Sequence, residues 1–195
     1  MRHDNDNWPF DGMVRGGYDL IMADPPWTFK LRSEVNLEKS AQGQYHCMSI
    51  DDIRSLPVID LAAPDCLVVL WATNPLLDQC IDTLKAWGFT FKTAGHWSKK
   101  TKRGKQAFGT GYILRCAGEP FIIGTRGKPK TTRGVRSVIE GMVREHSRKP
   151  EEAYREFEKL MPGARRADLF SRQVRPGWTA WGNEITKFES LQEAA

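Results

Sequence analysis

Leu20-Ile21-Met22-Ala23-Asp24-Pro25-Pro26-Trp27 is the stretch on which the reading of this chain turns. Tyr18–Ala23 has strand length and is apolar from Leu20 onward, and it ends on one acid, two prolines and a large aromatic. A carboxylate at a strand end can accept a hydrogen bond from an exocyclic NH2. Neither proline has an N–H, and the pair is biased to extended geometry, so their carbonyls are available as further acceptors. Trp27 offers a face on which a flat base can stack, worth roughly 1–3 kcal/mol on comparable platforms. The set fits a site that holds an amino-bearing base and polarises its amine. The plainer reading is an ordinary strand stopped by a Pro-Pro turn beside a chance Asp.

Outward from this stretch, strand-like and helix-like runs alternate, which argues for a mostly parallel α/β sheet. Ser49 followed by Asp52 is a capping pattern opening a short helix before Pro57. Cys66–Trp71 is a continuous apolar strand. Asn74 is placed to cap the next helix with Pro75 at its first position; Leu76, Leu77, Cys80, Ile81, Leu84 and Trp87 follow at helical spacing, and Gly88 stops it. Ala94–Ser98 and Pro120–Thr125 read as strands. Pro150 opens a helix with Ala153, Tyr154, Phe157, Leu160 and Met161 on one face, ended by Pro162-Gly163. Ala167–Phe170 and Thr179–Trp181 supply two more strands. Ligands of open α/β sheets sit beyond the carboxyl ends of the strands. Asp24 and the residues after Leu70, Phe170 and Trp181 are therefore expected to meet in one crevice.

With 195 residues, the chain has room for one ordinary α/β domain, residues 1–195, and a separate target-recognition domain does not fit. No apolar stretch approaches the ~20 residues needed to cross a bilayer. The polar N-terminus is no signal peptide, and the widely spaced cysteines 47, 66, 80 and 116 suit reduced thiols better than disulfides or zinc. A cytoplasmic location is expected. The net charge of +5 is unevenly spread: residues 1–90 hold 7 Lys+Arg against 13 Asp+Glu, and residues 91–195 hold 22 against 11. Lys99, Lys100, Lys102, Arg103 and Lys105 crowd a basic loop at 99–110, and Arg126, Lys128, Lys130, Arg133 and Arg136 crowd a second segment. Such clustering points to a polyanion, with the five cations of the first segment binding phosphate rather than reading bases.

The Asp24–Trp27 stretch resembles the Asp-Pro-Pro-[Tyr/Trp/Phe] signature of S-adenosylmethionine-dependent methyltransferases that act on exocyclic amines of nucleic-acid bases. The Trp form resembles the MT-A70-like family in particular. The likeness continues at Tyr45-His46-Cys47-Met48-Ser49, Leu70-Trp71-Ala72-Thr73-Asn74, Gly118–Gly124, Arg148–Glu152, Asp168–Arg172 and Trp178–Glu184, covering roughly residues 18–187 in the family's order. The resemblance implies a Rossmann-like methyltransferase fold with a seven-stranded sheet in permuted order, the catalytic motif first and the cofactor-binding strand late. It implies S-adenosyl-L-methionine as cofactor and adenine N6 as target, since Asp rather than Ser stands at position 24.

By the same resemblance Asp24, Pro25, Pro26 and Trp27 are catalytic, and Ala23, Asp24, Lys149, Phe170, Arg172, Asn183 and Glu184 bind the cofactor. Lys149 is expected to pair with its methionine carboxylate, Arg172 to contact it, and Asn183 and Glu184, after a strand end, to bind ribose hydroxyls. Tyr45 is a second aromatic near the base or the cofactor adenine, and residues 28–47 form a gate over the pocket. Family members commonly show Phe-Gly-Arg where this chain has Phe170-Ser171-Arg172, so Ser171 is expected to adopt a backbone that Gly otherwise supplies. A sulfonium methyl is already activated, so no metal is expected. DNA is favoured over RNA as substrate because the chain is small. A homodimer or a partner subunit stays open, as does a catalytically inactive nucleic-acid-binding relative. A nicotinamide dehydrogenase is excluded, because no Gly-x-Gly-x-x-Gly turn follows a first strand.

Overall fold

A computed structural model describes residues 8–28, 48–145 and 148–186. Seven strands form one mixed sheet: β1 (Tyr18–Ala23), β2 (Ala62–Trp71), β3 (Thr90–Lys100), β4 (Gly118–Arg126), β5 (Val138–Met142), β6 (Arg166–Leu169) and β7 (Trp178–Trp181). They lie in the order β5-β3-β4-β2-β1-β6-β7. β4 is antiparallel to both its neighbours, and every other pairing is parallel. This is the α/β Rossmann-like methyltransferase fold.

Alternation along the two central strands builds one core on each face. On β2, Cys66, Val68 and Leu70 face one side with Ile21 and Ala23 of β1. Leu67, Val69 and Trp71 face the other with Leu20 and Met22. Helices α1 (Ile50–Ser55) and α2 (Leu77–Ala86) cover the first face through Ile53, Cys80 and Leu84. Helix α3 (Glu151–Leu160) covers the second through Ala153, Tyr154 and Phe157. Two buried faces explain why Leu20–Ala23 of β1 and Cys66–Trp71 of β2 read as unbroken apolar runs rather than as alternating ones.

Local signals acted as their chemistry requires at most helix ends. The Ser49 hydroxyl accepts the Asp52 N–H at 3.0 Å and caps α1. Gly88 takes φ +86, and the N–H groups of Gly88 and Phe89 close on the carbonyls of Lys85 and Leu84, the Schellman closure of α2. Pro150 opens α3. Asn74 does not cap α2: it lies inside a 3-10 turn, Asn74–Leu76, that precedes the helix, and its amide donates to the Cys116 sulfur at 3.7 Å.

β5 is the strand that pattern reading missed. It is five residues long, half exposed, and carries Glu140 and Gly141 at its centre. The glycine has a packing reason, since a Cβ there would lie 2.7 Å from the Pro150 ring, and its carbonyl accepts the Trp97 indole N–H at 3.0 Å. None of the helices among the described residues is long and apolar enough to cross a membrane.

Candidate active site

Parallel pairing of β2, β1, β6 and β7 sets their carboxyl ends along one rim of the sheet, and Asp24 stands at its centre. Its backbone N–H reaches the Leu169 carbonyl at 3.2 Å, tying the end of β1 to the end of β6. Antiparallel β4 begins where β2 ends, so Glu119 arrives at the same rim, beside Trp71. β3 ends there too and brings Lys99. The chain leaving β5 supplies Lys149 just before α3.

These four side chains alternate in charge. Lys149 Nζ lies 2.9 Å from Asp24 Oδ2 and 2.9 Å from Glu119 Oε2, and Lys99 Nζ lies 2.6 Å from Glu119 Oε1. The ammonium of Lys149 also sits 5.0 Å over the Trp71 ring, and that of Lys99 4.7 Å over Trp97. Burial pushes the Asp24 carboxyl above its usual range, with Lys149 opposing and Glu119 adding to the rise. Burial would raise Glu119 as well, but Lys149 and Lys99 outweigh it and hold that carboxyl at about 2. Burial would lower Lys149, yet its two carboxylate partners hold its ammonium above the ordinary lysine range. Asp24 keeps a quarter of its side chain accessible, so an incoming amine can reach it.

The Pro-Pro-Trp turn is held by its own bonds. The Pro25 carbonyl accepts the Trp27 N–H at 2.8 Å and the Pro26 carbonyl accepts the Met48 N–H at 3.2 Å. Each carbonyl therefore has one lone pair engaged. Trp27 departs from expectation: it is 4 % exposed, belongs to the core under β1, and donates its indole N–H to the Trp71 carbonyl at 3.0 Å. It fixes the turn instead of presenting an open stacking face.

Next to Asp24 a cleft opens between the ends of β1 and β6, lined by Lys149, Tyr154, Asp168, Phe170, Ser171 and Arg172 among others. Ala23 is fully buried behind it. Phe170 takes φ +61, the one left-handed non-glycine backbone among the described residues. Its ring packs edge-on against Trp181 at 5.3 Å. Ser171 itself is not left-handed, so a glycine is not required there, and its side chain does work a glycine could not. Its hydroxyl lies 2.9 Å from Asp168 Oδ2 and 2.8 Å from the Gln173 carbonyl, while Tyr154 donates to the same Asp168 oxygen at 2.9 Å. Burial pushes Asp168 up to about 7 against these two hydrogen bonds. Beyond β7, Glu184 lies 3.5 Å from Arg172 Nε, and Asn183 is exposed on the same turn. The rim thus sets a buried cation, Lys149, beside Asp24 and places Arg172 with Glu184 at the neighbouring strand ends.

The chain matches the MT-A70 family model over residues 18–184. It belongs to the MT-A70 family. Among curated MT-A70 relatives, it is 31% identical to an N(6)-adenosine-methyltransferase MT-A70-like protein of Arabidopsis thaliana, over 92% of this chain and 25% of that one. It is 30% identical to the N(6)-adenine-specific methyltransferase METTL4 of Mus musculus, over 89% and 39% respectively. It is 27% identical to the type II methyltransferase M.MunI of a Mycoplasma species, over 90% and 81%. The chain thus spans a quarter to two fifths of the length of the first two of these relatives.

Of the sequence-predicted site residues, the structure brings Asp24, Lys149, Phe170 and Arg172 to one cleft. Two expectations change. Lys99 and Lys100 are internally paired, Lys99 with Glu119 and Lys100 with Glu140 at 2.8 Å, and so are not freely projecting phosphate ligands; Lys102, Arg103 and Lys105 are exposed on the turn beyond them. The segment is also not remote from the cofactor cleft, because Lys99 reaches Lys149 through Glu119. In the second basic segment Arg126 lies at the opposite rim and donates to the Ile59 and Ala62 carbonyls at 3.0 Å each, a structural role. Tyr45 and the gate from residue 29 to 47 lie outside the described residues.

Glu119, Asp168 and Tyr154 were not assigned a role from sequence. Only for Glu119 was there a signal, a lone acid opening an apolar strand, and its meaning depends on strand direction. Cys66 and Cys80 are buried, with thiols pushed up to about 12 by that burial, which makes them unreactive. Among the described residues no cluster of His, Cys, Asp or Glu could hold a metal ion.

Proposed function

We propose that this chain transfers a methyl group from S-adenosyl-L-methionine to the exocyclic N6 amine of adenine in nucleic acid, with DNA the preferred polymer. The observation that carries the reading is the Asp24 carboxylate, paired with Lys149 yet a quarter accessible, at the lining of a cleft that also holds Phe170 and Arg172. The order in which the chain supplies the rim, β1 first and β6 and β7 last, is the order that a permuted methyltransferase would need.

The chemistry asks little beyond position and electrostatics. Adenine N6 is a poor nucleophile because its lone pair is delocalised into the ring. Asp24 Oδ1 and the second lone pair of the Pro25 carbonyl would accept its two N–H bonds and turn the nitrogen lone pair out of conjugation. S-adenosylmethionine, when bound, supplies a methyl group already activated by its sulfonium. As the N–C bond forms, the S–CH3 bond breaks and leaves a neutral thioether; the proton lost by the amine would pass to Asp24, whose raised affinity for a proton makes it a better acceptor than an exposed carboxylate. Lys149 would pair with the carboxylate of the amino-acid end, Arg172 would contact the bound cofactor, and Asn183 with Glu184 would meet the ribose hydroxyls.

The preference for DNA is supported by the type II methyltransferase, which this chain matches over most of that protein's own length, and by the relative whose name gives adenine rather than adenosine. The adenosine methyltransferases among the relatives support RNA as the second reading. Labelled S-adenosylmethionine with parallel DNA and RNA substrates, followed by nucleoside analysis, decides between them. N6-methyladenine in DNA is the expected product. N6-methyladenosine in RNA alone would transfer the proposal to RNA, and no product with intact nucleic-acid binding would make the chain a binding subunit.

A further inference from the structure

Between β3 and β4 the chain builds a finger. Gln106 pins its base, its amide donating to the carbonyls of Lys99 at 2.8 Å and Ala117 at 2.7 Å. Above that, Gly109 N–H closes on the Cys116 carbonyl at 2.7 Å, and Arg115 stacks over Phe108 at 4.3 Å. The stem is therefore braced rather than slack. Its tip is apolar and open to solvent: Ile113 is 95% exposed and Leu114 81%. Two adjacent branched aliphatics at that exposure give up the stabilisation of burial, which a folded chain seldom does without a partner surface.

The place of the finger and its charge say what that partner is. Its stem springs from Lys99 and from β4, which carries Glu119 at its second position, and Cys116 meets Asn74 just past the end of β2. The finger thus stands on the rim that carries Asp24. Residues 99–117 hold six Lys or Arg and no Asp or Glu. An apolar tip within such a cationic segment would repel a second copy of itself and complements a polyanion whose interior is apolar. Stacked base pairs between phosphate strands have that character, and proteins that open a duplex insert aliphatic wedges between base steps. A methyltransferase acting on a paired adenine must also rotate it out of the stack.

Resting on the adenine methyltransferase reading, we infer that the finger is a strand-opening wedge for duplex nucleic acid. Ile113 and Leu114 enter the base stack at the position left by the adenine that turns toward Asp24. Arg115 and the exposed cations Lys102, Arg103 and Lys105 hold the flanking phosphates.

The test compares wild type with Ile113→Ser/Leu114→Ser on one genomic DNA, native and heat-denatured, with labelled S-adenosylmethionine. Turnover on native duplex is expected to fall about tenfold or more, while turnover on denatured strands stays within about twofold, because only the duplex requires unstacking. Cofactor affinity and the far-ultraviolet spectrum should match wild type. Equal turnover of variant and wild type on native duplex overturns the wedge alone. So does an equal loss on both substrates, or a wild-type dimer that the variant loses in sedimentation, which would make the tip a contact between copies. A wild type that methylates only denatured strands or RNA, or nothing at all, overturns the duplex reading and the wedge together.

Discussion

Lys149 Nζ stands 2.9 Å from Asp24 Oδ2 and at the same distance from Glu119 Oε2, so one buried ammonium couples the acid of the Asp-Pro-Pro-Trp turn to an acid on the antiparallel strand. The pair holds Asp24 at the lining of the cleft with a quarter of its side chain accessible. Asp24→Ala is expected to lower turnover by on the order of 10²–10³, the usual cost of one preorganised polar group. Cofactor affinity should stay near wild type, because Lys149 keeps Glu119 as a partner. Turnover measured beside calorimetry with S-adenosylmethionine checks both halves, and more than about a tenth of wild-type turnover would remove Asp24 from the reaction.

Lys149→Met removes the cation between two partly buried carboxylates: Glu119 keeps Lys99, whereas Asp24 loses Lys149. Breaking a fully buried pair from one side typically costs about 3–5 kcal/mol, and the partial exposure of Asp24 puts the expected loss below that range. The variant should unfold at markedly lower denaturant, and the additional change Glu119→Gln should restore part of the loss. Equal midpoints for Lys149→Met and wild type would mean that water screens the cluster.

Asp168 makes a pH prediction with a definite sign. Its folded carboxyl is pushed up by burial to about 7, above the ordinary aspartate value of 3.8, so the folded state holds a proton that the unfolded chain releases between those values. Asp168 therefore contributes most stability below pH 3.8 and loses that contribution as pH rises to about 7. Asp168→Asn keeps a side chain of the same shape for Tyr154 and Ser171 and cannot titrate. The stability difference, variant minus wild type, should grow as pH rises across that window, and a difference flat with pH would place the proton elsewhere.

Ser171→Gly restores the residue that the family commonly carries, yet it should not improve the enzyme. The backbone at 171 is not left-handed, and the substitution deletes hydroxyl contacts to Asp168 and Gln173. A loss of about 1 kcal/mol in stability is expected, with cofactor affinity equal to or below wild type. Tighter cofactor binding by the glycine variant would show that Ser171 strains the cleft.

The exposed turn Lys102, Arg103 and Lys105 is the part of the basic segment left to meet phosphate. Changing all three to Gln should reduce the slope of log affinity against log salt on duplex DNA by roughly two to three, at about 0.9 per phosphate neutralised. Cofactor affinity should not move. Lys99→Gln should behave differently and disturb the cofactor cleft, since Lys99 holds Glu119. Two variants with the same pattern would contradict that division.

Sequence by itself determined what depends on near neighbours. The strand Tyr18–Ala23 with its Asp-Pro-Pro-Trp end, the Ser49 cap, the Gly88 stop and the Pro150 start are local chemistry, and each stands where the residues put it. Lys149 was singled out only through the resemblance of the Arg148–Glu152 block, and its pairing with Asp24 and Glu119 is a tertiary contact. Tertiary structure alone decided strand direction and which strands share the rim. An apolar run reads the same in either direction, so only the antiparallel entry of β4 shows that Glu119 opens beside Asp24 and does not lie at the far edge. β5 was illegible because a half-exposed strand with Glu140 and Gly141 at its centre gains its stability from Trp97 and Pro150, which lie far from it in sequence or in the next element. The burial of Trp27 under β1 and the pairing of Lys99 and Lys100 with Glu119 and Glu140 belong to the same class. A composition count sees charge and aromatic surface, but the long-range contacts of the folded chain determine how much of either faces a ligand.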